Sequence, residues 1–305
     1  MKERRAFRSL KGTECEVTKV AITSFIPTVW SARLLNHLEK THVYDALFDK
    51  QCSEEVADYG DTVKINGLNP VTIADYTKNG TLQEPEQLTT AAQTLTIDQG
   101  KSFHFYVDDV DAAQARAELM DTAMRSAAYG LADAQDQYLA KVLSQAVGTI
   151  TANLGTDSAP ISISNGNAYD LLVDMKVALD QANVPMEGRC VIVPPQFAGC
   201  MLKDSRFASA YGMQAQTRLE NGTVGYAAGF EIRVSNNVPN TSGTKYKIMA
   251  GYSGTAALAE QIVKTEAYRP EKRFADAVKG LHVYGAMVTR PGTLAVATVK
   301  FAAKE

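Results

Sequence analysis

The stretch from Val107 to Val147, VDDVDAAQARAELMDTAMRSAAYGLADAQDQYLAKVLSQAV, constrains the chain more than any other. Met120, Met124, Ala127, Leu131, Ala134, Tyr138 and Val142 recur at steps of four and three, which predicts one long helix with a single narrow apolar stripe. Arg116, Asp121, Arg125, Asp133 and Lys141 fall off that stripe. Asp108 or Asp109 suits the first-turn amides, Asp111 suits the positive end of the helix dipole, and Asp121 precedes Arg125 by a stabilising i,i+4 step. Gly130 in mid-helix costs about 1 kcal/mol relative to alanine, so its presence predicts close packing of a neighbouring backbone. At 1.5 Å per residue such a helix runs to about 57 Å, more than one domain of ordinary thickness needs. It reads as a spine.

A chain of 305 residues with 45% hydrophobic content buries a sizeable core, and its length suggests two domains. A net charge of -3 and a pI near 5.9 argue against a dedicated nucleic-acid binder and leave room only for weak contact. Cys15, Cys52, Cys190 and Cys200 show no CxxC spacing, so reduced thiols in a cytoplasmic setting are expected. No apolar run reaches the ~18 residues of a membrane span, and the amino terminus lacks the apolar core of a signal peptide. Residues 1–16 are rich in Lys and Arg and read as a solvated tail, or as an extension before a native start at Val17, in preference to a nucleic-acid or scaffold contact.

From Ser24, SFIPTVWSARLLNHLEKTHVYDALF predicts a mixed amphipathic docking helix begun by Pro27, on which His37 and His42 lack metal-ligand spacing. Val63 and Ile65, Leu95 and Ile97, and Phe103, Phe105 and Val107 alternate with polar residues and predict strands. About thirty polar residues lie between the first two pairs, an excursion too long for an ordinary loop and in need of a partner surface, with Asn79-Gly80 suited to its hairpin tip. After the spine, TITANLGTDSAP reads as a linker. An α/β module follows: a helix from Asn167 to Asn183 on Leu171, Leu172, Met175 and Leu179, a buried strand Cys190 to Val193, and a helix opened by Pro195. Strands Glu231 to Val234 and Lys245 to Ala250 come next, with a short helix expected from Ser253. Strands return from Ile262 to Phe301, with Pro291-Gly292 expected as a type II turn.

Chemistry is scarce. Gly222, Gly225 and Gly229 match neither dinucleotide nor Walker spacing, so a structural loop is favoured. Gly251-Tyr252-Ser253-Gly254-Thr255 approaches a hydrolase nucleophile elbow but carries Thr at the last position. The His downstream of it, His282, alternates within a strand that reads as packing, and His104 reads as a lateral or solvent-facing strand residue. Asp108, Asp109 and Asp111 lack the spacing of a calcium loop, and scattered His and Cys make no zinc site. No catalytic, metal or cofactor site is expected. What the chain offers in excess is surface for association.

Several stretches taken in order, SFIPTVWSARLLNHLEK, YGDTVKI, FHFYVDDVDAAQA, DAQDQYL, NVPMEGRCVIVPPQF and GYAAGFEIRVSNNVP, resemble the tailed-phage major capsid proteins of the Hong Kong 97-like fold, over about Ser24 to Phe301. The resemblance implies an α+β subunit with an N-terminal arm (1–58), an extended loop (59–101), a peripheral domain carrying the spine helix (102–147 and 262–305) and an axial α/β domain (148–261). It implies a non-enzymatic coat protein that assembles with itself into hexamers and pentamers of an icosahedral head around double-stranded DNA. Localisation would be the virion, and the host cytoplasm during assembly. Scaffolding, portal and decoration proteins are the implied partners, with weak non-specific DNA contact and no membrane. Lys78, Asn79, Gly80, Arg290 and Pro291 are the expected assembly contacts. Few residues precede the arm, so a separate scaffolding protein or none is expected. No Asn follows Asn240, so a Lys78–Asn crosslink is not expected. An encapsulin-type shell is the nearest alternative, and a serine hydrolase using Ser253 a distant one.

Overall fold

The computed structural model describes residues 43–50, 60–68, 90–108, 118–204, 225–272 and 274–301, with the single positions 73, 75 and 78. The basic tail, the helix expected from Ser24 as far as His42, His37, Cys15, Cys52, the Asn79-Gly80 tip, Gly222, Asp109 and Asp111 lie outside the described residues, and the rest of that expected helix, Val43 to Phe48, is a 3-10 turn leading into a strand.

A 3-10 turn (Tyr44–Leu47) and β1 (Phe48–Asp49) precede a hairpin of β2 (Thr62–Leu68) and β3 (Thr90–Thr96). β4 (Gln99–Asp108) leads to helix α1 (Glu118–Gln145). The α/β module comprises β5 (Ile161–Ile163), α2 (Ala168–Gln181), β6 (Arg189–Val193), α3 (Pro195–Lys203), β7 (Tyr226–Ala227), β8 (Phe230–Val234), β9 (Asn240–Thr241) and β10 (Lys245–Tyr252). The chain closes with β11 (Ala256–Tyr268), β12 (Ala275–Val288), a 3-10 turn (Pro291–Thr293) and β13 (Ala295–Phe301).

These strands form a four-stranded sheet, β1-β11-β12-β4, a seven-stranded sheet in the order β5-β13-β10-β6-β8-β7 with β9 on β10, and the separate β2–β3 hairpin. The seven-stranded sheet buries both faces. Val191, Val193, Ile248 and Ala250 point to one side, where Leu171, Leu172, Met175 and Leu179 of α2 and Phe197 and Met201 of α3 cover them. Cys190, Ile192 and Met249 alternate to the other side, against Leu139 and Leu143 of α1, Tyr44 and Leu47. The N-terminal part of α1 packs Met124, Ala128, Leu131 and Ala132 on Phe103, Phe105 and Val278 of the four-stranded sheet. One helix therefore joins two cores, which is what a spine does.

The structure corrects several expectations. Residues 107 and 108 are strand, so the helix does not begin at Val107; its described span is about 42 Å at 1.5 Å per residue. Its buried positions are Met124, Ala128, Leu131, Ala132, Gln135, Asp136, Leu139, Ala140 and Leu143, whereas Ala127, Ala134, Tyr138 and Val142 are only half-buried. The buried face is thus rotated by roughly a quarter turn from the apolar stripe. The reason is that the Gln135 amide nitrogen and the Asp136 carboxylate are buried with hydrogen-bond partners, which offsets much of the cost of burying them. Gly130 is exposed, and among the described residues nothing lies within 4 Å of where its Cβ would be, so no neighbouring backbone among them explains it.

The segment after α1 is docked rather than a free linker. Ile150 donates to Leu294 and accepts from Val296, and Leu154 is buried and accepts from Thr298. β13 pairs with β10 and β5 in the seven-stranded sheet, not with the other closing strands. No helix follows Ser253. Gly254, at φ +101°, turns β10 into β11, and Thr255 Oγ1 donates to the Tyr252 carbonyl at 2.8 Å, a tight turn that carries the chain from the seven-stranded sheet into the four-stranded one. Pro291-Gly292 forms a 3-10 turn, closed by Leu294 N–H donating to the Pro291 carbonyl, rather than a type II turn; Gly292 does not have positive φ.

Candidate functional site

The described residues around 43–50 form the most developed polar site. Lys50 Nζ lies 3.1 Å from Asp45 and 2.9 Å from Glu260 of β11, and Gln135 of α1 donates to the other Glu260 oxygen at 2.5 Å. Asp136, the next helix residue, accepts from the backbone amides of Val43 (3.1 Å) and Tyr44 (3.4 Å). Tyr44 and Leu47 are fully buried between these anchors. The segment is a strap held by two neighbouring side chains of the spine helix and one of the sheet. Burial by itself would raise the Glu260 carboxyl, but the Lys50 ammonium, with hydrogen bonds from Lys50 and Gln135, holds it below the usual carboxylate range. Lys50 is shifted up: burial opposes its charge, and Glu260 and Asp45 outweigh that. His282, fully buried on β12, has its Nε2 3.9 Å from Glu260.

A second buried charge sits at the turn into β6. Arg189 donates to Asp180 at 2.7 Å, to the Val184 carbonyl at 2.6 Å and to the Pro185 carbonyl at 2.8 Å, pinning the end of α2. The Asp180 carboxyl is lowered, chiefly by the hydrogen bond from Arg189. Cys190 is a buried thiol pushed up to about 12 by burial, which makes it an inert packing residue.

The sequence-predicted site residues are dispersed. Ser253 is exposed in a strand–turn–strand connection between the two sheets, not the strand–turn–helix of a nucleophile elbow, and His282 faces Glu260. His104 is exposed on the outer sheet face and hydrogen-bonds the Tyr268 hydroxyl at 2.7 Å. Gly225 and Gly229 both adopt positive φ around the β7–β8 turn, a structural use of the glycine-rich loop. Among the described residues no group of His, Cys, Asp or Glu is arranged to hold a metal ion, and no helix is long and apolar enough to cross a membrane.

Of the expected assembly contacts, Lys78 is exposed in a turn and Asn79 and Gly80 lie outside the described residues. Arg290 is exposed and its guanidinium donates to the Tyr252 hydroxyl, while its backbone N–H donates to Thr255. Pro291 lines a groove of about 330 Å³ with Val142, Ala146, Val147, Ala286, Met287 and Val288, in which Val147 is 90% exposed.

Sequence reasoning passed over Asp45, Lys50, Gln135, Asp136, Arg189 and Glu260. A signal existed for two of them: Gln135 and Asp136 stand in phase with Ala128, Ala132, Leu139 and Leu143.

A spine helix shared by two cores, a strapped N-terminal segment and a hairpin whose base packs Val63, Leu95 and Ile97 on Ala257, Ala259 and Val283 are the parts of a shell-building subunit, and the architecture is the Hong Kong 97-like capsid fold. Solved structures carry the same arrangement. One described as Mycobacterium phage Che8 is 28% identical over 84% of this chain and 90% of that one, with a TM-score of 0.63. The capsid of cyanophage P-SCSP1u is 17% identical over 86% and 89%, also at 0.63. A virus-like particle from Pyrococcus furiosus is 13% identical over 89% and 98%, at 0.51. A family model described as phage capsid protein matches residues 90–297, and the chain belongs to that family. A search of curated proteins found no match.

Proposed function

We propose that the chain is the major capsid protein of a tailed phage, a structural subunit that assembles with itself into the hexamers and pentamers of an icosahedral head enclosing double-stranded DNA. The observation that carries this reading is the family match over residues 90–297, joined to a fold shared with phage capsids along most of the chain. The protein would act through its surfaces rather than through catalysis, in the virion and, during assembly, in the host cytoplasm.

In this reading residues 1–58 are the arm, 59–101 the extended loop, 102–147 and 262–305 the peripheral domain and 148–261 the axial domain. The axial boundary at Gln261 falls within β11, next to the shift in its register against β12 between Ile262 and Lys264. β13 returns to the axial sheet, which ties the two domains covalently and by hydrogen bonds. Lys78, Asn79, Gly80, Arg290 and Pro291 would be assembly contacts. The exposure of Lys78 and the groove beside Pro291, lined by Gln145 as well as by Val142 and Val147, support two of them. Scaffolding, portal and decoration proteins would be partners, and a net charge of -3 fits only weak non-specific DNA contact.

An encapsulin-type shell is the rival reading. The higher TM-scores with the two phage structures than with the Pyrococcus particle, 0.63 against 0.51, favour the phage. Electron microscopy of the expressed full-length chain, alone and with co-expressed scaffold, is the test. Closed icosahedral particles are expected; only monomers and small oligomers under both conditions would overturn the reading.

A further inference from the structure

We propose that the face of α1 centred on Tyr129 and Gly130 is a two-fold contact, on which the same helix of a second copy packs antiparallel. The inference rests on the shell-building reading above. Its starting point is a glycine that weakens the middle of a long helix without a packing reason among the described residues. Gly130 has ordinary helical backbone and is exposed, and among the described residues nothing lies within 4 Å of where its Cβ would be. The adjacent Tyr129 is 64% exposed. A large aromatic beside a missing side chain is the relief that lets another helix approach closely, with the ring packed over the incoming backbone.

The charges on this face select the occupant. Arg125 lies one helical turn before Tyr129 and Asp133 one turn after it, on the same side. An antiparallel copy crossing at Tyr129 and Gly130 sets Arg125 of each chain opposite Asp133 of the other, forming two identical ion pairs about one axis. This is the self-complementarity an isologous contact requires. Asp133 is prepared for it. One carboxylate oxygen accepts from Asn237 Nδ2 at 2.7 Å and the other from Gln137 Nε2 at 2.9 Å. Those bonds orient the group and leave lone pairs on both oxygens for an incoming guanidinium. Arg125, Lys141 and Asp133 together leave the face a net charge of only +1, a poor match for the phosphate backbone of packaged DNA.

The test uses the full-length chain, with particle yield read by sedimentation and electron microscopy and the melting temperature of unassembled protomer read separately. Gly130→Gln, which adds bulk and helix propensity together, is expected to leave the protomer melting temperature unchanged or raise it by about 2 °C, while particle yield falls about tenfold or more. Arg125→Asp alone should lower the yield similarly, and Arg125→Asp combined with Asp133→Arg should restore it. Wild-type yield from Gly130→Gln would overturn the proposal, as would a lowered protomer melting temperature, which would mean the glycine serves the chain's own fold. Failure of the charge exchange to restore yield, or normal particles that have lost only their DNA, would overturn it too. If wild-type chains form no particles, the capsid reading itself fails, an outcome distinct from these.

Discussion

Replacing Lys50 by Met isolates what the strap's ion pair contributes. The Glu260 side chain is 15% exposed and that of Lys50 is 34% exposed, so the pair is buried at one end and wet at the other. Breaking a fully buried pair costs about 3–5 kcal/mol because one charge is left without its partner. Here water reaches the Lys50 end and Gln135 still donates to Glu260, which brings the expected loss to about 2 kcal/mol. That corresponds to a fall of about 4 °C in the melting temperature of the unassembled protomer at pH 7. The pH dependence follows from the sign of the Glu260 shift. In the wild type the folded carboxyl is held below its unfolded value, so its stabilisation is present above about pH 4.3 and lost as pH falls through the folded value. In Lys50→Met burial dominates and raises the folded value, so the variant is penalised at neutral pH and recovers relative to wild type as pH falls toward 4.5. The double variant Lys50→Met, Glu260→Gln, which buries no charge at this point, should recover most of the loss at pH 7. Thermal unfolding of the three proteins at both pH values decides the matter. A loss of equal size at pH 7 and 4.5, or no loss at pH 7, would refute the assignment of Glu260 as a charge held by Lys50.

Gly285→Ala should destabilise the protomer by about 1–3 kcal/mol, measured by denaturant unfolding, because the new Cβ would fall 2.4 Å from the Thr96 carbonyl oxygen and 2.9 Å from the Ile97 Cα, and backbone cannot step aside as a side chain can. Leu131→Asn should cost about 4 kcal/mol through lost burial against Phe103, Phe105 and Val278 and an unpaired amide, and should yield insoluble chain. By contrast, Lys78→Ala should leave the melting temperature unchanged and lower particle yield. Ser253→Ala should change neither melting temperature nor assembly, since the side chain is exposed in a turn; loss of a measurable esterase activity on this substitution would revive the hydrolase alternative.

Local pattern was enough for the elements whose burial is apolar and periodic. Leu171, Leu172, Met175 and Leu179 marked α2, the uninterrupted run around Val191 marked β6, and the alternation of Phe103 and Phe105 marked β4, because in each case the partner surface demands one repeating residue type. Pattern failed where a polar residue is buried with a distant partner. Gln135 and Asp136 look like the solvent side of a helix until Glu260 and the Val43 and Tyr44 amides are brought to them, and that misplaced the buried face. It failed again at Ser253, where strand followed by glycine and small residues fits a helix start as well as a turn, and only the pairing of β11 with β12 from Ala256 onward makes the following residues a strand.

The sequence by itself determined the class of fold, the existence of the spine and the absence of a recognisable catalytic motif, all of which follow from short-range spacing and residue type. Tertiary structure alone decided which face of the spine is buried, that β13 crosses back to the α/β sheet, that the segment after the spine is docked and that Gly130 faces outward. Those outcomes depend on contacts between residues far apart in the chain, and no local propensity encodes which distant partner will satisfy a buried polar group or leave a glycine uncovered.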